Sequence, residues 1–345
     1  MPRRALILVV AGAAVVIAAV IAAVLPVPYV ILSPGPTLNT LGSEPGGQPL
    51  IMIADHRTYR TAGNLNMVTV NFQGGPGNEI NIFTALRAWL NSHDAVVPQQ
   101  ELFGAGQSQQ QVQRQDVVQM TNSEANATAA ALTEVGIKYT TQVQVVSTQP
   151  GMPAAADGLK PYDIIAKVNG VPIDSVAGLS RQIRAQGAGQ PLRLTVMRQR
   201  KTKLFRVTAV RSQGHPVIGV VVTVKYHFPL SVNISVGNIG GPSAGLMFAL
   251  GIVDKLTPMN LTGGKFIAGT GEITPAGAVQ PIGGIQQKMV GARDKGATVF
   301  LAPAGNCADA RGAVPAGMRL VRVSTLAGAV RSLEALKAGR SAPTC

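Results

Sequence analysis

A serine behind a tight Gly/Pro turn and a lysine on the apolar side of a helix are the residues whose surroundings suit chemistry. Gly240-Gly241-Pro242-Ser243-Ala244-Gly245 runs straight into Leu246-Met247-Phe248-Ala249-Leu250-Gly251-Ile252-Val253. Gly241 and Pro242 form the turn and are candidates to shape an oxyanion site. They deliver Ser243 to the start of an apolar helix, beside free backbone N–H groups and the positive end of the helix dipole. Such a setting stabilises a developing oxyanion, and it equally suits an ordinary helix cap. A nucleophilic serine needs a base. His215 and His227, the histidines of this region, sit in no pairing pattern. In Gly283-Gly284-Ile285-Gln286-Gln287-Lys288-Met289-Val290-Gly291-Ala292, helical spacing aligns Ile285, Lys288, Met289 and Ala292 on one apolar face, with Asp294 opposite. Desolvation lowers a lysine from its usual pKa of about 10.4 toward neutrality, where the amine can accept a proton. A lysine that snorkels to solvent is the alternative account.

The elements around these residues follow from composition and periodicity. The 345 residues are 46% hydrophobic and 13% charged, which excludes a disordered chain; 30 Lys and Arg against 16 Asp and Glu leave a net charge of +14. With only 8 Phe, 5 Tyr and 1 Trp there is little to stack on bases, so no nucleic-acid partner is expected. His56, His93, His215 and His227 are scattered and Cys307 and Cys345 are the only cysteines, so no metal site and no cofactor are expected. Ala5 to Leu25 is a run of 21 uncharged residues after Arg3 and Arg4. It is long enough to span ~30 Å of hydrocarbon, and Leu25-Pro26-Val27-Pro28 is a poor cleavage site, which favours an uncleaved anchor over a signal peptide. The two arginines favour a cytoplasmic N-terminus, making a single-pass protein of the cytoplasmic membrane with its bulk outside and lipid as a partner. In that compartment Cys307 and Cys345, 38 positions apart, either pair or remain two thiols.

Beyond the anchor (1–32), the segment 33–130 reads as a small α/β module of no assigned chemistry. It has a Pro/Gly stretch at Ser43 to Gln48, a strand at Asn66 to Val70 and an amphipathic helix over Ile80 to Asn91 carrying Ile82, Leu86 and Leu90. A Gln-rich connector from Gln107 to Gln119 leads into a helix around Asn126 to Glu134. Residues 131–212 show short strands, an Asn169-Gly170 hairpin turn and a helix over Val176 to Gln186 with Val176, Leu179 and Ile183 on one face. Between Arg181 and Arg211 lie nine Lys or Arg and no acid, a stretch that suits anionic lipid or acidic peptide, or simply a basic strand edge. Residues 213–340 begin with the apolar strands Val217 to Val224 and Val232 to Val236, and 341–345 form a tail.

Two resemblances organise these parts. Gly158-Leu159-Lys160-Pro161-Tyr162-Asp163-Ile164-Ile165 through Val168-Asn169-Gly170 resembles a PDZ domain, which implies capture of an extended peptide by strand addition. The groove would be lined by Val176, Leu179 and Ile183, and Val135-Gly136-Ile137 is the best candidate for the carboxylate loop. Gly241-Pro242-Ser243-Ala244-Gly245, Thr270-Gly271-Glu272-Ile273-Thr274, Gly277-Ala278-Val279, Pro281-Ile282-Gly283-Gly284 and Lys288 resemble, in order and spacing, the proteolytic domain of Lon-type serine proteases. That resemblance implies Ser243 as nucleophile, Lys288 as general base, Thr270 orienting the lysine, and assembly as a homo-hexamer. Lon-type enzymes commonly carry Asp where this chain has Gly240. No G-x-x-x-x-G-K-[ST] occurs, since Gly263-Gly264-Lys265 precedes Phe266 and Met259 stands at the leading position, so substrates would be unfolded or extended polypeptides. The expected fold is an α+β multidomain chain: transmembrane helix, small α/β module, PDZ domain and Lon-type α/β domain. A catalytically silent adaptor of the same architecture is the alternative.

Overall fold

The computed structural model describes residues 3–43, 47–104, 106–237 and 239–345, so part of the Ser43 to Gln48 stretch lies outside the described residues. In chain order, helix α1 (Arg3–Val24) precedes strand β1 (Tyr29–Asn39), β2 (Asn64–Gly74), helix α2 (Ile82–Trp89), β3 (Ala95–Pro98) and α3 (Gln109–Glu134). Then come β4 (Thr140–Thr148), β5 (Ile164–Val168), α4 (Val176–Gln186), β6 (Pro191–Arg198), β7 (Lys201–Thr208) and β8 (Val220–His227). The last part holds α5 (Gly245–Leu256), β9 (Phe266–Gly269), α6 (Ile285–Asp294), β10 (Val299–Pro303), β11 (Arg319–Val323) and α7 (Leu326–Lys337).

The chain forms two compact units, 1–137 with 230–345, and 138–229. This differs from the sequence reading of 33–130 as a module apart. The main, six-stranded sheet of the first unit has the order β11-β10-β9-β2-β1-β3, in which β2 from the N-terminal part lies parallel to β9 (Asn64↔Phe266 to Met67↔Gly269). Strand neighbours cover both edges of the first part of β2, and Val68 packs in the core cluster of Ile285, Met289 and Ala292, from which Lys288 is presented. Leu65, Met67 and Val68 are accordingly buried. Past Met67, β2 keeps β1 as its strand partner among the described residues, with the register shifted between Pro34 and Thr37.

The Gln-rich connector is also helical. Ser108 accepts from Gln111 N–H while Gln111 reaches back to Ser108 N–H, a capping box that starts one continuous helix to Glu134. Met120, Ser123, Ala127, Ala130 and Ala131 are buried, so small residues let α3 approach closely. The helix over Ile82 to Trp89 forms too, but with the opposite facing: Ala85 and Ala88 are buried, whereas Leu86 and Leu90 are exposed.

The second unit is a sheet of order β7-β6-β5-β4-β8 with α4 against it. Val217 to Val224, read from sequence as the start of the third domain, instead contributes β8, antiparallel to β4 from Val220↔Thr148 to His227↔Thr140. Alternating Val220 and Val222 pack on this unit's core, which explains the assignment. Asp163 is 1% exposed and accepts from Arg198 Nε at 2.7 Å and Nη2 at 2.6 Å and from Lys160 N–H at 2.9 Å. One of the nine basic residues is thereby committed to an internal ion pair. Cys307 and Cys345 are joined by a disulfide, with Cα atoms 5.1 Å apart.

Candidate active site

Ser243 sits in a turn two residues ahead of α5 rather than within it, and its main chain is held from two sides. Its carbonyl accepts from Gly271 N–H at 2.8 Å and from Thr270 Oγ1 at 3.0 Å. The Thr-Gly pair that follows β9 therefore grips the serine main chain. The preceding carbonyl, of Pro242, accepts from Ser123 Oγ on α3 at 3.0 Å. Any side chain at position 245 would bring its Cβ to 3.0 Å from that same Ser123 Oγ and 2.9 Å from Ile273, so α3 can lie this close only over Gly245.

Lys288 is 2% exposed on the inner face of α6, with Ile285, Met289 and Ala292 buried beside it. Its Nζ lies 2.8 Å from Ser243 Oγ and 3.1 Å from Thr270 Oγ1. Neither partner is anionic, so burial goes uncompensated and brings the amine down to about 7. With the Thr270 hydroxyl donating to the Ser243 carbonyl, its oxygen accepts from an amine N–H. The contact as it stands has the amine donating to Ser243 Oγ as well; once neutral, the amine has a lone pair with which it can accept from that hydroxyl instead.

Two glycines and an asparagine set the position of α6. Gly284 starts the helix in the left-handed region (φ 67°), and a Cβ there would stand 2.8 Å from Val70 Cγ1 of β2. A Cβ at Gly291 would stand 3.2 Å from the Gly35 carbonyl of β1. Asn306 pins the lead-in loop, accepting from Ile282 N–H at 2.9 Å and donating to the Ile282 carbonyl at 2.8 Å. Strands β1 and β2 and helix α3, to which sequence attached no chemistry, thus pack against α6 and against the turn that carries Ser243. Ser123 and Asn306 carry no motif; the Ser108/Gln111 capping box was the one local sign that a helix begins there.

Of the two proposed turn residues, Gly241 adopts φ 88°, while Pro242 has no N–H and cannot donate to an oxyanion. Among the described residues, the N–H groups of Ser243 and Ala244 have no acceptor and precede the positive end of α5. They are the donors available there. The site opens into a cavity of about 540 Å³ lined by Val68 to Phe72 of β2, Asp116, Gln119, Gly240 to Ala244, Gly283, Gly284 and Lys288. Asp116 and Lys288 are its only charged lining residues among those described. A Cβ at Gly240 would stand 2.7 Å from Asp116 Cβ, so the α3 carboxylate occupies the place that a side chain at 240 would need. Burial raises the Asp116 pKa.

Val135, Gly136 and Ile137 fall in the first unit, at the end of α3, and not at a peptide groove. Gly136 N–H donates to the Thr133 carbonyl and Ile137 N–H to the Leu132 carbonyl, so this triplet caps α3 and has no donors left for a carboxylate. The groove beside α4 runs instead along Val217 to Val222, and Val176, Leu179 and Ile183 do line it. Leu179 and Ile183 are also part of the unit's core. Gly219 takes φ 76° where a Cβ would overlap Met152, and among the described residues β8 has β4 as its one strand neighbour, with no strand on its other edge. Val217-Ile218-Gly219-Val220, an apolar-Gly-apolar turn into a strand, was the sequence signal for this groove.

Comparison with known proteins matches these parts. Residues 117–209 match the PDZ domain family, and residues 216–331 match the Lon protease (S16) C-terminal proteolytic domain. Lon protease 1 of Bacillus subtilis (strain 168) is 31% identical over 153 residues, covering 42% of this chain and 19% of that protein. Lon protease 1 of Herpetosiphon aurantiacus is 36% identical over 102 residues, covering 29% and 12%. The chain thus matches less than a quarter of either relative's length. A PDZ domain of an SdrC-like protein from Listeria monocytogenes is 23% identical with a TM-score of 0.22, covering 23% of this chain and 85% of that one. This chain therefore carries a PDZ domain and a Lon-type C-terminal protease domain.

Proposed function

We propose that this protein is an ATP-independent serine endopeptidase in which Ser243 is the nucleophile and Lys288 the general base. The observation that carries the reading is the 2.8 Å contact between Ser243 Oγ and the buried amine, whose pKa of about 7 leaves it able to take a proton. Lys288 removes the Ser243 proton as Oγ attacks the scissile carbonyl, and the N–H groups of Ser243 and Ala244 receive the oxyanion. The ammonium returns the proton to the leaving amine. The acyl-enzyme is then hydrolysed by water that Lys288 deprotonates. Thr270 holds the amine and the serine main chain in one frame.

Substrates in this reading are unfolded or extended segments, with the PDZ domain presenting them along α4 and β8. Helix α1, with an 18-residue window of mean hydropathy 3.0, is the membrane anchor, and the bulk of the chain stands outside the cytoplasm. A homo-hexamer belongs to the same reading and is checked by mass photometry in detergent. The test of activity is cleavage of a casein-like unfolded protein. Wild type cleaves it without nucleotide, and Ser243→Ala and Lys288→Ala do not; undiminished cleavage by both variants would refute the assignment and leave the adaptor reading.

Asp116 sharpens the substrate class. It is the one anionic side chain among the described residues lining the cavity, and it also lines an adjoining one of about 390 Å³ with Phe72, Leu102, Phe103, Val112 and Gln119. An aliphatic stem against the apolar residues with a cationic head at Asp116 describes Lys or Arg. Peptides with Arg should be cleaved about ten times faster than norleucine analogues at one position, a ratio that Asp116→Asn brings close to one. An unchanged ratio in the variant would remove Asp116 from specificity.

A further inference from the structure

Helix α2 presents its large apolar side chains outward. Phe83 is 49% exposed, Leu86 46%, Trp89 73% and the following Leu90 82%, while the inward face is made of Ala85 and Ala88. A helix serving only the fold would bury the large residues and expose the small ones. Its location supplies the reason. Asn81, the N-cap of α2, donates from Nδ2 to the Ala23 carbonyl at 2.9 Å, one residue from the end of α1, and accepts from Thr84 N–H at 2.9 Å. Pro26 and Val27 pair with Asn81 and Ile80. The start of α2 is therefore fixed at the level where the apolar span ends. At that level tryptophan is favoured, with its apolar ring in the acyl boundary and its N–H toward water. Arg87, in the last turn, is suited to lipid phosphate.

We propose that α2 is an interfacial membrane-contact helix whose Phe83, Leu86, Trp89 and Leu90 enter the headgroup boundary beside the anchor. The inference rests on α1 spanning the bilayer. It gives the protein a second attachment, which restrains the first unit from swinging freely about its anchor. It also accounts for four large apolar side chains left open to solvent by the fold.

The chain has a single tryptophan, so Trp89 is its own probe. Full-length protein is reconstituted in phosphatidylcholine/phosphatidylglycerol vesicles, floated on a density gradient, and its indole emission measured with spin-labelled lipids and with aqueous iodide. Shallow-labelled lipid should lower the emission by about half and more than deep-labelled lipid, with iodide nearly without effect. Trp89→Phe provides the blank. Protein that floats but is quenched by iodide and not by labelled lipid overturns the proposal while leaving the anchor intact. Quenching by neither assigns the face to a protein partner or a second copy, and also overturns it. Failure to float removes the anchor reading, and this proposal with it.

Discussion

The two units bury charge-bearing side chains in opposite ways. In the second unit, burial by itself would raise Asp163, but two hydrogen bonds from Arg198, one from Lys160 N–H and the guanidinium charge hold it below the usual carboxylate range. In the first, Lys288 is as deeply buried and meets only the hydroxyls of Ser243 and Thr270, so burial acts alone and the amine drops to about 7. A paired buried charge keeps its charge and fastens a fold; an unpaired one gives up its proton near neutrality and becomes available for proton transfer. On the proposed function, the contrast puts the proton-transfer group in the first unit and a structural ion pair in the second.

Exchanging the buried groups breaks this comparison most directly. Lys288→Met should lower kcat/KM on an unfolded substrate at least a thousandfold and yet raise thermal stability, because an unpaired buried amine is replaced by an apolar side chain of similar length. A calorimetric melt and an initial-rate assay on the same preparation check both halves; a variant that melts earlier would show the amine to be structural. Asp163→Ala should do the reverse, removing the hydrogen-bonded ion pair with Arg198 and costing about 1.5 to 3 kcal/mol in the second unit. Hydrogen exchange in peptides from 138–229 reads that loss.

Acidification separates the groups next. Both pKa values are lower in the folded chain than in the unfolded one, so both contributions to stability fall as pH falls, in different windows. For Lys288 the unfolded chain takes up a proton first, and stability declines from about pH 10.4 down to about 7, then levels. For Asp163 stability is held above about pH 3.9 and is lost below it, as pH passes down through the lowered folded value. Denaturant midpoints across pH should show the alkaline slope in wild type and not in Lys288→Met; the same slope in both would place the titrating group elsewhere.

Smaller effects sharpen the frame around the lysine. Thr270→Val removes the donor to the Ser243 carbonyl and the acceptor for the amine, and should lower kcat/KM by roughly ten- to a hundredfold with little change in KM. Ser123→Ala removes one hydrogen bond to the Pro242 carbonyl, and should cost roughly fivefold, about 1 kcal/mol. An unchanged rate in the second variant would mean that α3 holds the turn by packing alone.

What was legible in the sequence was what is local. The Gly-Pro-Ser turn, the TGEIT segment and the spacing of Ile285, Lys288 and Met289 each encode a geometry within a few residues, and the structure brings Ser243, Thr270 and Lys288 together. What escaped depends on pairing between distant segments. Strand β2 meets β9 some two hundred positions on, and Ser123 reaches Pro242 across 119. No periodicity in 33–130 announces either partner. The helix side of the second unit's groove was legible in Val176, Leu179 and Ile183; its strand side escaped because β8 comes after the other strands of its sheet, where the apolar run reads as the start of something new. Helix α2 had the right pattern and the wrong expected facing, because spacing defines a stripe without saying what will cover it.

The central claim is that the buried Lys288 amine draws the proton from Ser243. A fluorophosphonate reagent tests it without knowledge of the natural substrate, since it needs only the activated hydroxyl and leaves a stable adduct. Its rate of attachment, followed by intact mass and mapped to the modified peptide, should rise about tenfold per pH unit below about 7 and level above it, on Ser243 alone. Labelling of Ser243 should vanish in Lys288→Met. A rate on Ser243 that is flat from about pH 5 to 9, or that survives removal of the lysine, would contradict the account.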